Sequence, residues 1–407
     1  MTTPWLTKPW VRPAAVVAGA VAYVVLLAWL NLHGHIDAAV WMLILGVLAL
    51  IGFAVWQWRR HHRRIASGLL AGALVVVAAT TWYALSLNGK IDAIPRINSD
   101  VLNTNEESRP PKAPNKAVNI LLMGADNPQR LVKKPTVAEL LEDGQWDPGA
   151  YRSDTMMVVH IPADRKTAYV VSVPRDSYVP IYDAEGEEHG KNKINAAFAE
   201  YGPFGTWRTI ENLSGVHIDH MAVLDYAGFN DLTEAIGGVD VYVPETVYDS
   251  AQDQEWTQGW HHVQGELALK YVRMRHGLLE GDFDRIDRQQ NFLRAVLQKT
   301  LSDGTIGNPV KLSKVLGAIT GHLAVDGDWS TKDLRNLALS LRGLDSGKVR
   351  FMTLPLASYE TIPGVGSSNI IDEPAAKVLW KAVLDDKVGP YLKNHPDDEL
   401  PDPKDVS

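Results

Sequence analysis

The 407-residue chain contains no cysteine, so disulfides, thiolate metal sites and cysteine nucleophiles are excluded. It also lacks a Gly-x-x-x-x-Gly-Lys-[Ser/Thr] loop and a Gly-x-Ser-x-Gly element. P-loop nucleotide hydrolysis and the α/β-hydrolase serine mechanism therefore have no sequence support. Acid is scarce at the start. Residues 1–90 hold one carboxylate, Asp37, against seven basic residues. The remainder carries 33 basic and 47 acidic residues. An acidic body of that kind argues against general nucleic-acid binding, which needs a basic footprint. No internal repeat occurs. The hydrophobic content of 46% is ordinary for a chain with a real core, so global disorder is excluded.

Three apolar runs, about 14–30, 38–56 and 65–86, contain no Lys, Arg, Asp or Glu. At 1.5 Å rise per residue, each is long enough to cross a hydrocarbon core of roughly 30 Å. A cleaved signal peptide explains only the first. The expectation is a three-helix membrane anchor over residues 1–87. Lys8 and Arg12 lie in the tail, and Arg59, Arg60, Arg63 and Arg64 lie in the second loop. The loop from Asn31 to Asp37 has no Lys or Arg. The positive-inside rule places the N-terminus in the cytoplasm, and an odd number of spans leaves residues after about 88 outside the cell. Trp5, Trp10, Trp29, Trp56, Trp58 and Trp82 sit near run ends, as an interfacial belt requires.

Residues 88–116 are polar and Pro-rich, and read as a linker. Residues 117–390 read as one α/β domain with a mixed central sheet flanked by helices. Strands are expected at Val118–Met123, Thr155–Ile161 and Ala168–Val173, the last two as a hairpin, and at 239–243 and 349–354. Helices are expected around 194–200, 206–213, 227–236, 285–301 and 373–385, with two or three more filling 309–343. The acidic tail 391–407 reads as disordered.

Chemistry concentrates in three places. Between Tyr271 and Gln290, four arginines fall in an otherwise acidic domain. Arg273 and Arg275 are two apart and share a side on an extended segment. Arg285, Arg288 and Gln289 are spaced i, i+3, i+4 and share a helix face. Guanidinium forks suit phosphate oxygens. The competing reading is a solvated face paired locally with Asp282, Asp284 and Asp287. Second, Asp126 closes one strand and Asp154 opens the next. Two such carboxylates hold a hard divalent ion such as Mg²⁺, or each caps a turn. Third, Arg175 and Lys193 follow strand ends and add positive charge to a phosphate site, or are surface residues. His217-Ile-Asp219-His220 lacks the spacing of a zinc helix and reads as structural.

Seven ordered blocks carry a further message: Asn119-Ile-Leu-Leu-Met-Gly-Ala-Asp126, Arg152-Ser-Asp-Thr-Met-Met157, Ser172-Val-Pro-Arg-Asp176, Lys193-Ile-Asn-Ala-Ala197, Ala235-Ile-Gly-Gly-Val-Asp240, Gly265-Glu-Leu-Ala-Leu-Lys-Tyr-Val-Arg-Met-Arg275 and Gly281-Asp-Phe-Asp-Arg-Ile-Asp-Arg-Gln-Gln290. Together they resemble the LytR-CpsA-Psr family of cell-wall glycopolymer ligases. The resemblance implies an extracytoplasmic α/β domain with a deep apolar pocket for a polyprenyl-pyrophosphate lipid. It implies transfer of a glycan phosphate from that lipid to peptidoglycan, with release of polyprenyl phosphate. The family's metal-binding aspartates correspond to Asp126 and Asp154, with Mg²⁺ as the ion and Mn²⁺ as the alternative. Its pyrophosphate-binding residues correspond to Arg152, Arg175, Arg273, Arg275, Arg285 and Arg288, with Asp282 and Gln289 alongside, and Lys193 falls in the matching block. The general base stays open between Asp154, Asp282 and another carboxylate. A polyprenyl-pyrophosphate hydrolase and a non-catalytic lipid-glycan binding protein remain as alternative functions. The chain departs from the family in three respects. The segment 127–151 is long, with a helix expected at Val137–Leu141 that would act as a lid. No accessory domain is expected after the catalytic region. Three spans replace the frequent single one.

Overall fold

The computed structural model describes residues 23, 36–104, 106–126, 146, 148–149, 151–274, 282–302, 309–341, 344 and 346–406. At Asp126, Asp282 and Arg285 it gives the backbone alone. The first apolar run, apart from Tyr23, and the helix expected at Val137–Leu141 lie outside the described residues. The chain divides into two compact units, 1–89 with 304–313, and 90–303 with 314–407.

The first unit contains α1 (Ile36–Arg59) and most of α2 (Arg63–Asp92). They are joined by a tight turn in which His61 takes a positive φ of 63°. Two described helices, Trp41–Arg59 and Arg63–Asp92, are long and apolar enough to cross a membrane. Trp41, Leu45, Leu74 and Val75 point outward with most of their surface exposed. Helices that are apolar all round need an apolar solvent.

The second unit begins in the expected linker. β1 (Arg96–Ile97) and a short α3 (Asp100–Thr104) lie there. The main strands are β2 (Val118–Asp126), β3 (Arg152–Ile161) and β4 (Ala168–Val173). A hairpin of β5 (Tyr178–Tyr182) and β6 (Glu188–Lys193) leads to α4 (Asn195–Ser214). Next come β7 (His220–Asp225) and α5 (Tyr226–Ala235). A ribbon then forms from β8 (Val239–Val243), β9 (Val247–Asp249), β10 (Gln254–Trp256) and β11 (Gly259–Val263). After it come α6 (Gly265–Arg273), α7 (Asp282–Ser302), α8 (Pro309–Ile319), whose residues up to Ser313 count with the first unit, β12 (Leu323–Asp326) and α9 (Thr331–Ser340). The chain closes with β13 (Val349–Thr353), β14 (Leu356–Ile362), β15 (Gly366–Ile371), α10 (Glu373–Leu384) and α11 (Val388–Asn394).

Seven strands form one mixed sheet in the order β1-β12-β7-β2-β3-β4-β13. The β2–β7, β4–β13 and β1–β12 pairs are parallel; β2–β3, β3–β4 and β7–β12 are antiparallel. Strand alternation sorts the side chains onto two faces. Leu121, Met123, Met156, Val158, Val171 and Met221 join one core, with α4 and α10. Ile120, Met157, Val170 and Phe351 join another, with Leu293 and Leu297 of α7 and Leu334 and Leu337 of α9 packed on it. A sheet buried on both faces reads as continuous apolar runs, which is why these strands are visible in the sequence.

The two helices expected at 194–200 and 206–213 are both present, joined end to end in α4 across a break where Gly202 takes φ 71° before Pro203. Both residues resist regular helix, Pro203 because it has no N–H to donate. Three expectations are corrected. The region 309–343 contains β12 as well as helices, and this four-residue strand is too short for periodicity to show. The tail is ordered: Leu400 and Val406 are buried in the second core, and Arg350 donates to Glu399 through Nε at 2.6 Å. The linker is likewise built into the domain. Ile97 and Leu102 are buried, and Arg109 reaches Glu211 of α4 at 2.9 Å. Its polar composition hides single anchoring residues.

Candidate functional site

The site grows from an irregularity. The β2–β3 register runs evenly to Gly124 opposite Thr155, then shifts, so that Ala125 faces Ser153 and Asp126 faces Arg152. Asp154 is the extra residue of this bulge. A bulge re-aims the side chain it carries. Here the Asp154 carboxylate accepts from the Arg175 guanidinium at 2.5 Å. Arg175 follows β4 and Pro174, and its Nε donates to Asp176 at 3.3 Å. Asp176 is 8% exposed and also takes the Lys193 ammonium, 3.2 Å from its other oxygen. Asp154, Arg175, Asp176 and Lys193 thus alternate in sign along one chain of contacts, partly withdrawn from water. Arg152 is exposed beside it.

α7 closes the site from the other side. Gln289 accepts from Thr155 Oγ1 at 3.0 Å and donates to the Val272 carbonyl at 3.4 Å. Gln289 therefore ties α7 to the residue after Asp154 and to the residue before Arg273. Arg273 ends α6 as a helical residue, not on an extended segment, because the amphipathic pattern from Gly265 continues to it. Arg288, on the same helix as Gln289, is buried, with its guanidinium 5.5 Å from the Tyr271 ring centroid and against the Met274 sulfur. Burial pushes the Tyr271 phenol above its usual range, and Arg288 pulls it back. Arg275 lies outside the described residues.

An apolar pocket begins at Thr155, the chain neighbour of Asp154. It lies between the sheet and α5, α6 and α7, and Leu122, Leu224, Phe229, Phe292 and Val296 are among its walls. Thr155 and Gln289 also line it. The pocket is narrow, about 130 Å³, and partly open. Its walls come from six elements, so no local run of sequence reveals it. Asp176 was also missed as a site residue. Its only signal is its place beside Arg175.

Hard oxygen ligands are what a Mg²⁺ site requires. The described side chains offer Asp154, with the Asp126 backbone nearby on the paired strand. Among the described residues, no group of three or more His, Asp or Glu could hold a metal as a protein cage. This set fits an ion that takes one or two carboxylates and completes its shell with water and substrate phosphate. The His217–His220 stretch is occupied otherwise. His217 contacts the Pro110 carbonyl, Asp219 accepts from the Asn119 N–H, and His220 stacks on Trp329 at 4.5 Å.

A model of the LytR_cpsA_psr family matches residues 87–383. The chain belongs to that family. This family member is 33% identical over 317 residues to the probable cell wall biosynthesis protein LcpB of Corynebacterium glutamicum, covering 78% of this chain and 70% of LcpB. It is 30% identical over 307 residues to the cell wall biosynthesis protein LcpA of the same organism, covering 69% of this chain and 58% of LcpA. The polyisoprenyl-teichoic acid–peptidoglycan teichoic acid transferase TagV of Bacillus subtilis is 32% identical over 257 residues, 60% of each chain. The TagV crystal structure superposes with a TM-score of 0.53, covering 68% of this chain and 98% of that one at 27% identity. The α/β fold with its mixed sheet is therefore the family's fold.

Proposed function

We propose that the chain is a membrane-anchored phosphotransferase. It moves a glycan phosphate from a polyprenyl-pyrophosphate donor to a hydroxyl of peptidoglycan. The observation that carries this reading is the shared edge of two surfaces. Thr155 and Gln289 line an apolar pocket, and Asp154, next to Thr155, sits in a cluster with Arg175, Asp176 and Lys193. A narrow apolar slot beside fixed cations suits a pyrophosphate whose first isoprene units enter the slot. The relative TagV is named for transfer of teichoic acid from a polyisoprenyl carrier to peptidoglycan.

The acceptor oxygen attacks the glycan-proximal phosphorus. The bond to the bridging oxygen breaks, and polyprenyl phosphate leaves. The acceptor proton passes to a carboxylate of the site, with Asp154 and Asp282 as the candidates. Such transfer depends on positioning and charge neutralisation more than on a covalent nucleophile. Two carboxylates hold Arg175 before substrate arrives, so its orientation is set in advance. Arg152, Lys193, Arg273, Arg275 and Arg285 add positive charge around the pyrophosphate. Asp126 and Asp154 would hold Mg²⁺, which when bound supplies Lewis-acid neutralisation of phosphate oxygens. The apolar helices α1 and α2 anchor the chain where the lipid resides. With the first run as a third span, the catalytic domain lies outside the cell.

The test is donor turnover in detergent-solubilised protein. Arg273→Ala and Arg285→Ala should each lower it by about tenfold or more while the thermal midpoint holds. A chelator should abolish turnover, and Mg²⁺ should restore it. Near-normal turnover in both variants contradicts the assignment of these arginines. Release of lipid phosphate with no acceptor product, in the presence of competent peptidoglycan, would indicate a hydrolase.

A further inference from the structure

A second concavity lies on the opposite face of the sheet. It is a groove of about 780 Å³ between α10, the last turn of α4 and strand β5. It follows α10 from Glu373 to Leu384, twelve residues or about 18 Å at 1.5 Å per residue. Trp380, Leu213 and Leu384 give it an apolar floor, and Lys191, Lys377 and Lys381 stand along its rim. Lys381 is paired with Asp385 at 2.9 Å, and Glu373 sits at one end. Lys191 and Lys377 are exposed and have no ion pair among the described residues. Three lysines in one groove stand out in a region whose acids outnumber its bases by 14. The Trp380 indole N–H is buried without a hydrogen-bond partner among the described residues.

The groove begins beside the charged cluster. In the β5–β6 ladder, Tyr178 pairs with Lys193 and Pro180 with Lys191. Lys193 and Lys191 are two apart on one strand and so share a face. Lys193 belongs to the cluster and Lys191 to the groove. Residues 176 and 369 are joined by a backbone hydrogen bond of 2.9 Å, and Ile370 lines the groove.

We propose that this groove binds the peptide of the acceptor, a short peptide carrying free carboxylates. The inference rests on the transferase reading, because it assigns a surface to that reaction's second substrate. The apolar pocket at the cluster suits the lipid. The groove leads away from the same cluster and leaves room for the strand that must present its hydroxyl there. Small alkyl side chains of the peptide lie on the Trp380–Leu384 floor, and its carboxylates reach Lys191 and Lys377. A polyol-phosphate glycan has the charge to meet the lysines, but little apolar surface to cover that floor.

The test uses the full chain in detergent micelles and isothermal titration with three probes. They are a disaccharide-pentapeptide with free carboxylates, the same fragment with its carboxylates amidated, and a glycerol-phosphate oligomer. The free-acid fragment should bind, and more weakly as salt rises. Amidation, or the double substitution Lys191→Gln with Lys377→Gln, should weaken binding roughly tenfold. In the transfer assay the double variant should raise the acceptor KM and leave kcat and the donor KM unchanged. Failure of the wild-type protein to bind the free-acid fragment overturns the proposal. So does equal binding of the amidated fragment, undiminished binding by the double variant, or displacement of the peptide by the glycerol-phosphate oligomer. If carboxylate-dependent binding holds but no transfer occurs, the groove stands and the transferase reading falls.

Discussion

Arg175→Ala should lower kcat by about 10²–10³-fold, the loss typical of removing one preorganised donor from a site of developing charge. The expected damage exceeds that of one lost surface cation for two reasons. Arg175 lies between Asp154 and Asp176, with both carboxylates within 3.3 Å of its guanidinium. Its removal leaves two partly buried carboxylates facing each other and facing an anionic substrate. Arg175→Lys should recover only a small part of the loss, because an ammonium cannot span two carboxylates as a planar fork does. Asp176→Asn separates positioning from direct contact. It frees Lys193 and loosens Arg175, so it should raise the donor KM more than it lowers kcat. Steady-state turnover of a polyprenyl-pyrophosphate glycan measures all three variants. Arg175→Ala with kcat within threefold of the parent would remove Arg175 from the mechanism.

Glu211→Ala should destabilise the catalytic unit by about 3–5 kcal/mol, the cost of breaking a buried ion pair by removing one partner. The Glu211 side chain is fully buried. It accepts from Arg109 Nη2 at 2.9 Å and from the Ile218 N–H at 2.9 Å, and Arg208 Nη1 lies 3.8 Å away. Burial lowers the Arg208 pKa, whereas Arg109, though also desolvated, is held above its ordinary value by Glu211. Without the carboxylate, two guanidinium groups remain in a space with no counter-charge of equal quality. For a unit of this size the thermal midpoint should fall by roughly 5–15 °C. Glu211→Gln should lie between, since an amide oxygen still accepts from Ile218. Calorimetric melting of the full chain checks the prediction. A change below about 1 kcal/mol would show that Arg109 is a surface residue of a true linker.

The partner of Glu211 is well hidden in the sequence. Arg109 lies among prolines and polar residues, where composition suggests a linker. Its role depends on a carboxylate 102 residues away. Leu400 and Val406 in the tail are hidden in the same way, as single apolar residues among acids. Strands β2, β3 and β4 are legible because a sheet covered on both faces demands uninterrupted apolar runs. β12 is four residues long and lies between helical patterns, so it carries no readable period. At the site, Asp154 and Arg175 stand out as charged residues at strand ends. The bulge that turns Asp154 toward Arg175 is a property of pairing register, which one strand alone does not encode. Arg288 shows the limit of facial spacing. It shares a helix with Gln289, as the i, i+3, i+4 pattern requires, yet its guanidinium is packed over Tyr271.

One transfer joins the apolar slot, the cluster built around Arg175 and an acceptor hydroxyl. The most direct measurement supplies the solubilised full chain with polyprenyl-pyrophosphate glycan, a peptidoglycan oligomer and Mg²⁺, and follows both products by mass spectrometry. The predicted result is glycan phosphate on the oligomer and an equal amount of polyprenyl monophosphate, both lost in Arg175→Ala. Bound donor that stays intact beside a competent acceptor would contradict the account and leave a lipid-glycan binding protein in its place.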